Sequence, residues 1–321
     1  MPQLTPRRRN QVAGMLAANM GVCEFVLCAR ISSVVDLGKP ENLHGLAERI
    51  AAAESVSFLS SQMLLLQPYL ESLLAQRQTS RPQGYHQPQG TPSHAARHFL
   101  TQFYSQTVNV ADELRRPIYL CVSKNAVNIR QILNLMSQVD WEVPDVMSEH
   151  SSYIDILLRE LQVFAMRLEE VGSRVPVPSS VHIVLWQQVI ALVCDTFVEG
   201  FANAGRHCSN GGRGLMQLDF TQFLSKVEVI LGSSNSGGCR GRGVQGNTWR
   251  NCIFGSNKGR VEAYVKAFYQ PETGLEQWIR DHGMEYSTKQ LTALVGCVSQ
   301  NNKKSRQRLM NIIEEMDRSG R

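Results

Sequence analysis

Apolar residues in this chain recur at steps of three and four over most of its length, the spacing that lines one face of an α-helix. The clearest run is 151–171. There Ile154, Leu157, Leu158, Leu161, Phe164, Leu168 and Val171 share a stripe, and Asp155, Arg159, Arg167 and Glu169 lie off it. An apolar stripe with a charged reverse is what a bundle helix shows. Ser152 followed by Asp155 fits a capping box at its start, with Pro144 as an earlier alternative.

The same pattern predicts further helices. One runs over 42–66 from an Asn42 cap through Leu46, Ile50, Phe58 and Leu65, with Pro68 kinking or ending it. One covers 95–115, carries Phe99, Phe103 and Val110, and is followed by Pro117. A short helix is expected near 126–138, and a strongly apolar one over 179–204. Residues 213–231 follow a Gly-rich turn and align Leu215, Leu218, Phe223, Val227 and Ile230. Residues 260–269 align Val261, Tyr264, Val265 and Phe268, and Pro271 closes that piece. Segments 274–281, 287–299 and 302–317 complete the set. No strand series emerges; the segment IYLCV at 118–122 reads as a short strand or a helix. The expected fold is all-α, an elongated helical bundle of about 8–10 helices with two flexible loops.

Those loops are 77–94, rich in Pro, Gln and Gly, and 232–259, rich in Gly, Ser and Asn and basic. The second is the expected boundary. It separates a main bundle, 29–231, from a C-terminal helical unit, 260–321, with 1–28 unassigned and 232–259 expected to be disordered. There is no internal repeat. Residues 175–194 carry no charge, but two prolines and Ser179-Ser180 shorten the apolar part, and Gln187-Gln188 interrupt it. A membrane span needs about 20 apolar residues, so a buried core helix is expected instead.

Composition refines this picture little. The chain has 321 residues, a net charge of +5 and an ordinary apolar share of 43%, enough for a sizeable core. Basic residues gather at Arg7–Arg9, between Arg240 and Arg260, and from Lys303 to Arg308. Such clusters suit an acidic protein, an anionic membrane or nucleic acid, but the excess is small. Arg7–Arg9 precede an apolar run in the manner of a targeting sequence, though Asn19 and Glu24 break it. The eight cysteines, at 23, 28, 121, 194, 208, 239, 252 and 297, form no C-x-x-C pair and suggest reduced thiols in a cytosolic setting.

Candidate chemistry is sparse. Gly241-x-Gly243-x-x-Gly246 has the letters of a dinucleotide motif, but no strand precedes it and no helix opens after it. His94 and His98 have the spacing that places two imidazoles on one helix face, without further ligands or a catalytic glutamate beside them. No metal, cofactor or catalytic residue is expected. The string YSTKQL at 286–291 sets Tyr286, two hydroxyls and Lys289 side by side, as a hydroxyl nucleophile with a lysine base would. Its spacing fits a helix start better. Ser287 and Gln290 form a capping box, and Tyr286 and Leu291 a hydrophobic staple around it.

The last helix is anomalous. Lys303, Lys304, Arg306 and Arg308 crowd its N-terminal half, and Glu314, Glu315 and Asp317 its C-terminal half. Both placements oppose the helix macrodipole. The basic end is therefore the candidate contact for an acidic partner or an anionic membrane. A basic all-α module that binds nucleic acid is the alternative function, although no nucleic-acid motif is present.

At these residues the chain resembles a known family. The stretch EAYVKAFYQPETGLEQWIRDHGMEYSTKQLTALVGCVSQNNKKSRQRLMNIIEEMDR is similar to the C-terminal end of the syndetin family. So are LHGLAERIAAAESVSFL, FLTQFYSQTVNVADELRRPIY, VDWEVPDVMSEHSSYIDILLREL and EGFANAGRHCSNGGRGLMQLDFTQFL upstream. The resemblance covers about 43–317 in unbroken order. It implies a non-enzymatic subunit of the endosome-associated recycling protein complex, EARP, resembling the helical-rod (CATCHR-type) tethering subunits. It implies as partners the subunits that EARP shares with the Golgi-associated retrograde protein complex, GARP, and SNARE proteins. It also implies endocytic recycling, with a cytosolic location peripheral to recycling endosomes and trans-Golgi network membranes. The chain departs from the family at 1–28, at the long 232–259 segment and in lacking the family's large N-terminal part, so a C-terminal piece of a longer protein is expected.

Overall fold

The computed structural model describes residues 39–79, 92–145, 147–204, 208–233, 252–300 and 302–319. Among them are eleven α-helices and no strand. In chain order these are α1 (Leu46–Thr79), α2 (Pro92–Phe103), α3 (Ala111–Ser123), α4 (Ile129–Ser137) and α5 (Ser152–Arg174). They continue with α6 (Ser179–Ala204), α7 (Asn210–Ser233), α8 (Asn257–Ala267), α9 (Glu272–His282), α10 (Thr288–Val298) and α11 (Lys303–Ser319). The all-α expectation holds.

α6 is the centre of the bundle. Its buried residues include Val181, Leu185, Trp186, Val189, Ile190, Val193, Phe197 and Phe201, which point to more than one side of the helix. A helix apolar all round must be covered all round. α3, α4, α8 and α10 pack on it. By length and composition α6 is apolar enough to cross a membrane, but more than half of that window is buried inside the bundle. Phe197 gathers Tyr153, Phe201, Phe220 and Phe223 in edge and tilted ring contacts. Pro40–Arg321 forms one compact unit, and the residues from Val261 to Ile313 share one hydrophobic core with those before 232. Cys252–Phe254 are helical, with Ile253 and Phe254 buried, and Gln187 Nε2 donates to the Cys252 carbonyl at 2.9 Å. Both expected loops are shorter than read: 232–233 end α7, 257–259 begin α8, 77–79 end α1 and 92–94 begin α2, while 234–251, 80–91 and 1–38 lie outside the described residues.

Two prolines misled the element boundaries. Pro68 lies inside α1 and Pro117 inside α3. Both are exposed, so the carbonyl each leaves unpaired one turn back can reach water. The single helix expected over 95–115 is instead broken by a π-helical turn, Tyr104–Val108, closed by the Asn109 amide on the Tyr104 carbonyl. α1 holds that turn in place. Ser60 Oγ donates to the Val108 carbonyl at 2.7 Å, and Tyr104 Oη donates to the Met63 carbonyl at 2.7 Å. IYLCV lies within α3.

Two expected caps also differ. α1 begins at Leu46, and Asn42 Oδ1 instead accepts from the Gly45 amide at 3.0 Å. Leu43 and His44 take positive φ there, 48° and 56°, with Leu43 buried. At α5 neither Ser152 nor Asp155 closes a capping box. Asp155 Oδ1 is taken by His150 at 3.1 Å and Lys226 at 3.2 Å, which holds its carboxyl below the usual range. The Ser151 amide goes to Asp219 of α7.

Candidate interaction surfaces

YSTKQL is a helix start. Ser287 Oγ accepts from the Gln290 amide at 3.3 Å, and the Ser287 amide donates to Gln290 Oε1 at 3.0 Å, closing the capping box. Tyr286 and Leu291 are both buried on either side of it. Tyr286 Oη donates to the Arg260 carbonyl at 2.7 Å, and its ring lies 5.3 Å from those of Tyr264 and Trp278. Lys289 forms an ion pair with Glu199 of α6. Tyr286, Ser287, Lys289 and Gln290 thus each have a structural partner, and Ser287 and Lys289 are not joined to each other.

The basic end of α11 is exposed at Lys303, Lys304, Arg306 and Arg308. Arg308 is bound to Glu276 of α9 at 2.7 Å. No ion pair engages Lys303, Lys304 or Arg306 among the described residues. Asn302 caps the helix through Ser305 and donates to Glu272 at 2.8 Å. Arg306 also lines an open groove of about 880 Å³ between α10, α11 and the end of α6.

A second surface was not foreseen. Beyond Ser60, none of the described side chains of α1 is buried. Met63, Gln67, Leu70 and Leu74 form a half-buried seam, one residue every three or four. On other faces Phe58 (64%), Leu65 (73%) and Tyr69 (57%) stand exposed, with Leu59, Leu66 and Leu73 beside them. Phe99 of α2 is exposed at 68%. No charged residue occurs between Glu54 and Glu71. The sequence signal was present, since this stretch of α1 is apolar on more faces than one seam requires. Periodicity alone does not tell which stripe is covered.

Several titratable groups lie in the interior. Asp219 is fully buried, and burial raises its carboxyl above the ordinary range against the Ser151 amide and Tyr153 hydroxyl that lower it. Cys208 and Cys297 lie together, with Cys297 Sγ 4.0 Å from the Cys208 carbonyl oxygen and Arg213 Nη2 3.8 Å from Cys297 Sγ. The neighbouring Cys208 thiol, then the guanidinium, bring Cys297 down to about 7, and the same pairing with burial pushes Cys208 up. Burial pushes Cys194 up to about 12. Among the described residues no cluster of three His, Cys, Asp or Glu could hold a metal ion. The 241–246 glycine string and the His94 side chain lie outside the described ones. His98 is exposed.

Comparison with known proteins agrees with the sequence blocks. A family model described as "Syndetin, C-terminal" matches residues 43–314. Syndetin of Mus musculus is 41% identical over 300 residues, covering 93% of this chain and 27% of its own. Syndetin of Rattus norvegicus gives the same values, and that of Gallus gallus is 40% identical over 310 residues, 96% of this chain and 29% of its own. The chain thus spans little more than a quarter of the length of the curated relatives it matches. No solved structure matches it.

Proposed function

This chain belongs to the syndetin family through its C-terminal domain, and on that basis we propose that it acts as a non-enzymatic subunit of an endosomal multisubunit tethering complex, EARP. Its work is endocytic recycling and vesicle-mediated protein transport. It sits in the cytosol, peripheral to recycling endosomes and trans-Golgi network membranes, and contacts the subunits shared with GARP and SNARE proteins.

The observation that carries this reading is the uncovered apolar hairpin of α1 and α2. Large apolar patches on a helical surface mark sites of association. A helix that is apolar on more than one face is stable in water only when neighbours cover those faces. A helical segment of the assembled complex, laid along Phe58, Leu65 and Tyr69, supplies that cover. This is how a subunit of a larger helical assembly differs from a self-sufficient domain.

Affinity purification of the full-length protein carrying this domain tests the reading. The shared GARP/EARP subunits co-purify with the wild type. Phe58→Glu, Leu65→Glu and Tyr69→Glu together release the domain's own contribution to the complex. A purification that recovers none of the shared subunits overturns the assignment.

A further inference from the structure

α10, the last turn of α6 and the first turns of α11 enclose the open groove of about 880 Å³. Thr288, Thr292 and Gly296 line it, one residue per turn of α10, and Arg306 and Met310 line it from α11. A Cβ on Gly296 would meet nothing within 4 Å, so the space above α10 is open. The helices that form the groove are not α1 and α2, so a ligand bound there is independent of the assembly surface.

We propose that this groove receives an acidic α-helix of a partner protein, lying along α10 with its carboxylates toward Arg306 and, one turn before it, Lys303. The charge argument comes first. Three cations, with no acidic partner among the described residues, stand at the end of α11 whose dipole already repels them. The two other cations of the region are satisfied, Lys289 by Glu199 and Arg308 by Glu276. Among the described residues no acidic side chain lines the groove. Incoming carboxylates would offset both the mutual repulsion and the dipole.

Shape selects a helix. The backbone of α10 and α11 is spent on their own hydrogen bonds, so an extended peptide finds no edge to pair with, whereas a helix brings its backbone already satisfied. A third helix settles between two others by ridges and grooves, and hydroxyl and glycine positions permit close approach. The eleven residues of α10 offer about 16 Å, or three turns. A flat lipid surface would touch the exposed lysines but would leave the groove empty.

The test uses the full 321-residue chain. A fluorescein-labelled amphipathic helical peptide with glutamates along one face is titrated by anisotropy, beside a control with lysine in place of each glutamate. The acidic peptide binds, the lysine peptide does not, and binding weakens with added salt as screening requires. Arg306→Glu weakens it about tenfold. Gly296→Leu and Thr292→Leu, both at open positions, fill the groove and abolish binding without lowering the melting temperature. Equal binding of both peptides, or unchanged binding by both groove-filling variants, overturns the proposal. So does co-sedimentation with phosphatidylserine vesicles that survives Gly296→Leu while the acidic peptide fails to bind the wild type.

Discussion

The backbone amide of Ser151 donates to the carboxylate of Asp219 at 2.7 Å, joining the start of α5 to the middle of α7 across 68 positions of sequence. The amide is one of those that a helix start leaves without an intrahelical partner. Asp219 meets it from another helix, inside the core, with Tyr153 beside it.

Removing the carboxylate leaves that half-buried amide unpaired. Asp219→Ala therefore costs about 1–3 kcal/mol of stability, and Asp219→Asn, which keeps an acceptor, costs less. Chemical denaturation of the three proteins at neutral pH measures both.

The same residue has a pH signature. Burial raises its folded-state carboxyl above the ordinary value. A raised acid contributes stability that is fully present below its unfolded pKa and is lost as pH rises through its folded pKa. The wild type should thus gain on Asp219→Asn as pH falls from neutral into the acid range. A stability difference between the two that is flat with pH would show that the carboxyl is not desolvated.

The capping box at Ser287 predicts a local cost. Ser287→Ala removes one acceptor from the first turn of α10 and should lower stability by about 1 kcal/mol, a shift of roughly 2–4 °C in melting temperature for a domain of this size. Adding Gln290→Ala costs less than the sum of the two single changes, because the two bonds form one reciprocal unit. Lys289→Ala stays near neutral, since that side chain is two-thirds exposed.

Two helical glycines separate a rigid obstacle from a soft one. A Cβ on Gly212 would run into the carbonyl oxygen of Trp141, which also accepts from the Ser209 amide at 3.0 Å. A Cβ on Gly200 meets only the thioether end of Met136. Gly212→Ala forces backbone apart and should cost about 3 kcal/mol, whereas Gly200→Ala is relieved by a turn of a flexible side chain and costs under about 1 kcal/mol. Thermal unfolding of the two variants ranks them.

These contrasts mark how far the sequence could be read. The stripe of α5 and the full span of α6 were legible because their own spacing carries them. So was the cap at Ser287, whose partner is three residues away. The start of α5 was not, because its acceptor comes from Asp219 while the local candidate, Asp155, is drawn to His150 and Lys226. The glycines read as a turn before α7 instead lie in its first turns. Their reason is not local, since Gly211 and Gly212 make room for the carbonyls of 141–145. Of the candidate surfaces, the basic end of α11 could be read from charge order alone. The groove beside it depends on α6, which is about 90 residues away in sequence.

The apolar hairpin yields the last prediction, about what its residues do not do. Phe58, Leu65 and Tyr69 are mostly exposed, so in the isolated domain they bury little surface. Replacing them with glutamine should change unfolding stability by no more than about 0.5 kcal/mol. By contrast, Leu161→Ala, in the fully buried stripe of α5, should cost about 2–5 kcal/mol. The triple variant should also bind less of an apolar-surface dye and self-associate less in sedimentation, because it removes the patch rather than the core. A large fall in melting temperature would mean that these side chains are packed within the domain itself, which would withdraw the hairpin as an assembly surface.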